Sequence, residues 1–151
     1  MRMSLKNTAC TAVLVGVSLA ICSCSRQPLG PTVIDPDAPS AFTTTESGLK
    51  YRILRKADGN KPKPSDRVKV DYSGWLDDGT VFDSSYERKE PVTFALSGVV
   101  KGWTEGLQFI GEGGMIELEI PAELGYGAEG SPPTIPPNST LHFKVELLSI
   151  E

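Results

Sequence analysis

After Cys24 the chain has no cysteine, and His142 is its single histidine. Disulfides and thiol chemistry are thereby excluded from residues 25–151, and zinc sites or Cys/His and Ser/His nucleophile pairs lack the residues they need. Long hydrophobic runs are missing too. The only candidate, Ala9 to Ile21, falls short of the roughly 20 apolar residues of a membrane-spanning helix. Positive charge is in deficit, with 15 Lys and Arg against 19 Asp and Glu for a net of −4. That balance argues against a nucleic-acid partner, whose phosphates are bound mainly by Lys and Arg.

The short apolar run follows Arg2 and Lys6 and ends in cysteines, the plan of a signal peptide over residues 1–23. Cys24 follows Ile21-Cys22-Ser23, with a small residue directly before it, and this resembles a bacterial lipoprotein signal with Cys24 as the acylated residue. Cys22 is the alternative site, but bulky Ile21 before it fits such a signal less well. A plain secretory signal with an incidental cysteine is the remaining reading. Two or more acyl chains on Cys24 give durable attachment to a lipid bilayer. Ser25 is not an acidic retention residue, so the expected place is the bacterial cell envelope: in a two-membrane bacterium the outer membrane, facing the periplasm, and in a one-membrane organism the outward face. Without Arg2 and Lys6 the exported chain has 13 of the 15 basic residues against 19 acidic ones, a net of −6.

Residues 24–44 hold Gln27-Pro28-Leu29-Gly30-Pro31 and Asp35-Pro36-Asp37-Ala38-Pro39-Ser40, without apolar periodicity. Prolines at this density break helix and sheet ladders, which predicts a tether. Residues 45–151 suffice for one core, and no internal repeat or second composition shift divides them. Period-two alternation dominates: Leu49, Tyr51 and Ile53; Val68, Val70 and Tyr72; Val92, Phe94 and Leu96; Ile116, Leu118 and Ile120; Leu141, Phe143, Val145 and Leu147. Each run reads as a half-buried antiparallel strand. Asp77-Asp78-Gly79 reads as a tight hairpin turn. One segment is helical, Lys101 to about Phe109, where Trp103, Leu107 and Ile110 recur at spacings of four and three and Gly111 is placed to stop the turn. The expected class is α+β, with about five antiparallel strands covering one short helix.

Three motifs in order carry the functional signal. They are Tyr72-Ser73-Gly74-Trp75-Leu76-Asp77-Asp78-Gly79-Thr80-Val81-Phe82-Asp83-Ser84-Ser85, Gly102-Trp103-Thr104-Glu105-Gly106-Leu107, and Ile135-Pro136-Pro137-Asn138. Together they resemble the FKBP-type peptidyl-prolyl cis-trans isomerases over roughly Thr45 to Glu151. The resemblance implies a sheet wrapped half around the helix as a half-barrel, no cofactor, and no metal. It assigns Tyr72, Phe82, Asp83, Trp103, Tyr126 and Phe143 to the catalytic pocket, with Trp103 as its floor. Arg88, Val92, Val99, Val100 and Ile135 fall at substrate-binding positions. It further implies that the Val100 N–H and the Tyr126 hydroxyl bond substrate carbonyls, that partners are proline-containing polypeptides, and that rapamycin or tacrolimus binds. The Pro-rich stretch is shorter than the helical dimerisation region of some exported family members, so a monomer is expected.

The sequence departs from the family pattern on the loop Tyr126–Pro137, where Ser131 stands at a position often His and Thr134 replaces an aliphatic residue. Val92 stands where an aromatic is frequent. Other groups have plainer readings: Phe94, Leu96 and Leu118 as core, His142 as a surface residue, and Asp77-Asp78 and Glu117/Glu119 as turn and strand-exterior charges without the ligand spacing of a calcium loop. Asn138-Ser139-Thr140 matches a glycosylation acceptor, but a bacterial lipoprotein setting makes it silent.

Overall fold

Along β3 (Arg67–Leu76) the period-two pattern becomes a two-faced strand: Val68, Val70, Tyr72, Gly74 and Leu76 are buried, while Arg67 and Lys69 are exposed. This computed structural model describes residues 33–151; the signal-peptide segment and Cys24 lie outside the described residues. Preceding β3 are β1 (Thr43–Thr44) and β2 (Lys50–Arg55); following it are β4 (Val81–Ser84), α1 (Ser85–Arg88), β5 (Val92–Ala95), α2 (Lys101–Gly106), β6 (Met115–Ile120) and β7 (Leu141–Ile150). The strands form one antiparallel sheet in the order β1-β2-β6-β7-β3-β4, with β5 also paired to β3. The sheet is open and covers α2, giving the expected α+β class.

Among the described residues seven strands are present where alternation gave about five. The five are β2, β3, β5, β6 and β7; the additions are β1, at two residues too short for a period to register, and β4, whose Val81-Phe82-Asp83-Ser84 has no apolar alternation. The single turn α1 escaped for the same reason. Ser84 caps it, accepting a hydrogen bond from the Glu87 N–H, and Lys89 ends it with φ 56°. The Asp77-Asp78-Gly79 hairpin is as read, with Gly79 at φ 84° and its N–H donating to the Leu76 carbonyl at 2.9 Å.

Helix α2 runs from Lys101 and passes into a 3₁₀ turn, Leu107–Phe109, before Ile110 turns extended. Gly111 therefore does not stop the helix. A Cβ there would stand 2.2 Å from the Gly59 carbonyl oxygen, so its lack of a side chain admits the 57–60 loop. On the inner face Leu96, Leu107, Ile116, Leu118, Ile120 and Val145 are fully buried and seal α2 to the sheet. Phase and composition thus fix which helix face meets the strands.

The stretch read as tether hydrogen-bonds to the domain from Asp35 onward. The Asp35 N–H donates to the Leu54 carbonyl at 2.8 Å, its carboxylate accepts from the Lys56 N–H at 2.8 Å, and Thr43 and Thr44 pair with Tyr51 and Lys50. Arg52 binds the Ser40 carbonyl and lies over the Phe42 ring at 4.9 Å. Among the described residues no helix is long and apolar enough to cross a membrane.

Candidate functional site

The concave face of the sheet, the start of α2 and the 126–137 loop enclose a cavity of about 420 Å³. Trp103 lies at its base, 4% exposed, because α2 is pressed onto β6. Gly102 permits that approach: a Cβ there would lie 2.6 Å from the Ile120 side chain. Tyr72, Phe94 and Phe143 surround the indole edge-on, with ring centroids at 5.3, 5.6 and 5.2 Å and interplanar angles of 83°, 88° and 82°. Phe82 meets Phe143 in the same way at 5.4 Å. Edge-to-face contacts of this kind suit the quadrupoles of aromatic rings and hold each in one orientation. Gly74, beneath Phe82 and Phe143, leaves the room they occupy, since its Cβ would fall 2.7 Å from one ring and 2.6 Å from the other.

One polar cluster interrupts this apolar wall. The Tyr72 hydroxyl donates to the Asp83 carboxylate, Arg88 donates to the other Asp83 oxygen, and a second Arg88 nitrogen reaches the Tyr72 hydroxyl at 3.1 Å. Burial first, then the Asp83 hydrogen bond, pushes the Tyr72 phenol up to about 12. For Asp83, partial burial pushes the carboxyl up, but the bonds from Tyr72 and Arg88 and the Arg88 charge outweigh it and hold the group below the usual carboxylate range. At neutral pH the cluster is therefore a neutral phenol, a carboxylate and a guanidinium.

Most residues that the family resemblance assigned to the site meet here. Tyr72, Phe82, Asp83, Trp103, Tyr126 and Phe143 line the cavity, as do Val99, Val100 and Ile135. Arg88 does not line it and acts on the lining through Asp83 and Tyr72. Val92 does not line it either; it packs against the core from β5. Phe94, read as core, is a wall residue. Alternation gave the face of β5 that it shares with Val92, but not that this face reaches the cavity at Phe94 and stays against the core at Val92. The 126–137 loop is drawn together by paired bonds between Ser131 and Ile135, both 2.9 Å, and brings Ser131 and Thr134 to the cavity mouth beside Tyr126, which is 44% exposed. Among the described residues no main-chain acceptor takes the Val100 N–H.

His142 and the acidic turn lie on the opposite face. His142 points outward but is covered by Trp75, stacked at 5.9 Å, and its Nε2 lies 2.7 Å from an Asp77 carboxylate oxygen. Asp78 accepts from the Thr80 N–H at 2.8 Å, while Glu117 and Glu119 pair with Arg52 and Lys50 across β2 and β6. The described residues contain no group of three or more His, Cys, Asp or Glu placed to hold a metal ion.

Comparison with known proteins bears on this geometry. A family model described as FKBP-type peptidyl-prolyl cis-trans isomerase matches residues 58–148. A probable FKBP-type peptidyl-prolyl cis-trans isomerase of Haemophilus influenzae is 54% identical over 107 residues, 71% of this chain and 44% of that protein. FKBP-type peptidyl-prolyl cis-trans isomerase FkpA of Escherichia coli K12 is 54% identical over 108 residues, 72% of this chain and 40% of that protein. The crystal structure of FkpA from Escherichia coli superposes with a TM-score of 0.72 at 51% identity, covering 75% of this chain and 53% of that one. The chain thus spans less than half the length of these two curated relatives.

Proposed function

Because this chain belongs to the family of FKBP-type peptidyl-prolyl cis-trans isomerases, we propose that its cavity accelerates rotation about X-Pro bonds in polypeptides. The observation that carries this reading is the aromatic well over Trp103, with a single tethered carboxylate on its wall. Rotation must break amide resonance, a barrier of about 18–20 kcal/mol. In the twisted state the carbonyl and nitrogen are decoupled and the bond is less polar, so transfer from water to an apolar pocket favours it over the planar ground state. Each 1.36 kcal/mol so gained is about tenfold in rate.

Proline's ring sits on Trp103 between Tyr72, Phe82, Phe94 and Phe143. The Val100 N–H and the Tyr126 hydroxyl bond the flanking carbonyls, fixing the chain on either side of the rotating bond. General acid-base catalysis works best with a pKa near the working pH. Tyr72 is moved above that range and Asp83 below it, so the cluster orients and polarises and does not pass protons.

Beyond the reaction itself, we infer an envelope protein acting on exported proteins as they fold. The supports are the signal-like N-terminus, Cys24 after Ser23, and Ser25 at the position that in two-membrane bacteria governs retention. Eight residues lie between Cys24 and Val33, at most about 30 Å of chain, so a lipid on Cys24 keeps the domain near the outer membrane's periplasmic face. The Pro-rich composition of residues 25–42 supports a monomer. Rapamycin and tacrolimus are expected to bind in the same well, as the family resemblance implies. Mass spectrometry of the membrane-extracted protein is expected to show an N-terminal peptide beginning at Cys24 with added acyl mass, and Cys24→Ala to release the protein into the soluble fraction.

The deciding test is cis-trans isomerisation of a short X-Pro peptide by a soluble chain starting at Ser25, with rapamycin as competitor. Catalysis abolished by the drug is the expected result. Binding of proline peptides without acceleration would instead make the domain a peptide-binding module, a reading favoured by the polar Ser131 and Thr134 at the mouth.

A further inference from the structure

The outer edge of β3 is paired twice: β5 takes Arg67 to Val70, and β4 takes Ser73 to Trp75. Between them, at Asp71 and Tyr72, the ladder is broken by α1. There the fully buried Ser85 substitutes for a strand: its hydroxyl accepts the Tyr72 N–H at 2.8 Å. The same hydroxyl gives its one proton to the Asp71 carboxylate at 2.7 Å in preference to the Tyr72 carbonyl at 3.4 Å. Ser85 is the first residue of a one-turn helix that has no length of its own to hold it, since isolated helices this short are unstable.

That turn carries the polar side of the cavity. Asp83 lies two residues before Ser85, and Arg88 three residues after it. Tyr72 is therefore held at both ends: its N–H by Ser85, and its hydroxyl by Asp83 and Arg88. We propose that Ser85 and Asp71, neither of which lines the cavity, are positioning residues for the isomerase reaction: they clamp α1 to β3 and so set Asp83 and Arg88 against the Tyr72 hydroxyl. The inference rests on the isomerase reading for its effect on rate, but the clamp itself is a structural claim. Asp71, on the opposite face of the strand from the Tyr72 ring, supplies the acceptor that orients the hydroxyl, so its loss loosens Ser85 without touching the cavity.

The test compares full-length protein with Ser85→Ala, Asp71→Ala and, as a control for lost stability alone, Leu54→Ala at the far edge of the sheet. Two quantities are read: kcat/KM on an X-Pro peptide, and the titration of the Asp83 carboxyl carbon by NMR. Ser85→Ala is expected to lower kcat/KM by about tenfold, less than the roughly hundredfold that a misplacement of about 1 Å in a site can cost, with the Asp83 titration moved to higher pH as its donors drift. Asp71→Ala is expected to show the same pair of changes more weakly, and it carries the test if Ser85→Ala does not fold. Leu54→Ala at matched melting temperature should change neither. Wild-type kcat/KM and an unmoved Asp83 titration in the folded variants would overturn the proposal, as would losses no larger than those of Leu54→Ala. If the wild-type protein has no isomerase activity, the isomerase reading fails, yet the Asp83 titration still decides whether the clamp exists.

Discussion

Asp83 is the one residue through which the cavity's electrostatics are set. Asp83→Ala removes the acceptor of both Tyr72 and Arg88, and kcat/KM on an X-Pro peptide is expected to fall about tenfold or more. The melting temperature should barely move, because an ion pair this exposed is screened by solvent and contributes little to stability. The pH dependence has a defined sign. The folded pKa of Asp83 is depressed, so its contribution to stability is present above the ordinary carboxylate range and is lost as pH falls through the lowered value. Tyr72 has the opposite sign: with a folded pKa near 12, its contribution is full below the ordinary tyrosine value and disappears as pH rises through the folded one. Burial and the neighbouring Glu146 raise Tyr86 as well. Spectrophotometric titration should show Tyr72 and Tyr86 ionising later than a free tyrosine. Phe94 shows how much a single position hides: the alternation gave its face, but whether that face borders core or cavity depends on where the start of α2 sets Trp103.

At the scale of elements, α2 decides the depth of the site. Only six residues long, it offers a sequence signal of Trp103, Leu107 and Ile110, which was enough to place it and not enough to end it. Its approach to β6 depends on Gly102. Gly102→Val drives a side chain into Ile120 and is expected to cost on the order of 1–3 kcal/mol as an overpacked core. The gain in helix propensity of Val over Gly, a few tenths of a kcal/mol, does not offset it. Thermal unfolding checks the first effect. Loss of isomerase activity in the folded fraction checks the second, since lifting α2 moves Trp103 out of its ring of edge-on neighbours. β4 and α1 were invisible to periodicity, yet they bring in Phe82, Asp83 and Arg88; there the Asp83-Ser84-Ser85 motif, and not any pattern of hydrophobicity, was the legible signal.

For the whole molecule, the buried pair Arg55 and Glu146 ties the N-terminal strap to the sheet's convex side. Both are nearly inaccessible, at 5% and 4% exposed. Arg55 binds Glu146, donates to the Gly113 carbonyl at 2.8 Å, and reaches the Val33 carbonyl at 3.2 Å. Removing one partner strands a buried charge, so Glu146→Ala is expected to destabilise the fold by about 3–5 kcal/mol, measured by urea denaturation. Starting the chain at Phe42 removes the two Asp35 bonds, the Val33 bond and the Ser40 bond and is expected to cost about 2–6 kcal/mol at 0.5–1.5 kcal/mol per net hydrogen bond, leaving the cavity and its rate unchanged.

The sequence by itself determined the faces of the longer strands and the place of α2, because alternation and helical spacing are local, and through the family resemblance that its three motifs carry it assigned most of the cavity's lining. It also excluded thiol and zinc chemistry from residues 25–151 simply by what it omits. Only the tertiary structure decided that Phe94 joins the wall while Val92 stays in the core, that Pro-rich residues from Asp35 bind β2, and that Ser85 fills the gap in β3. Each of these depends on the distance between segments far apart in the chain, which packing sets and no local pattern encodes.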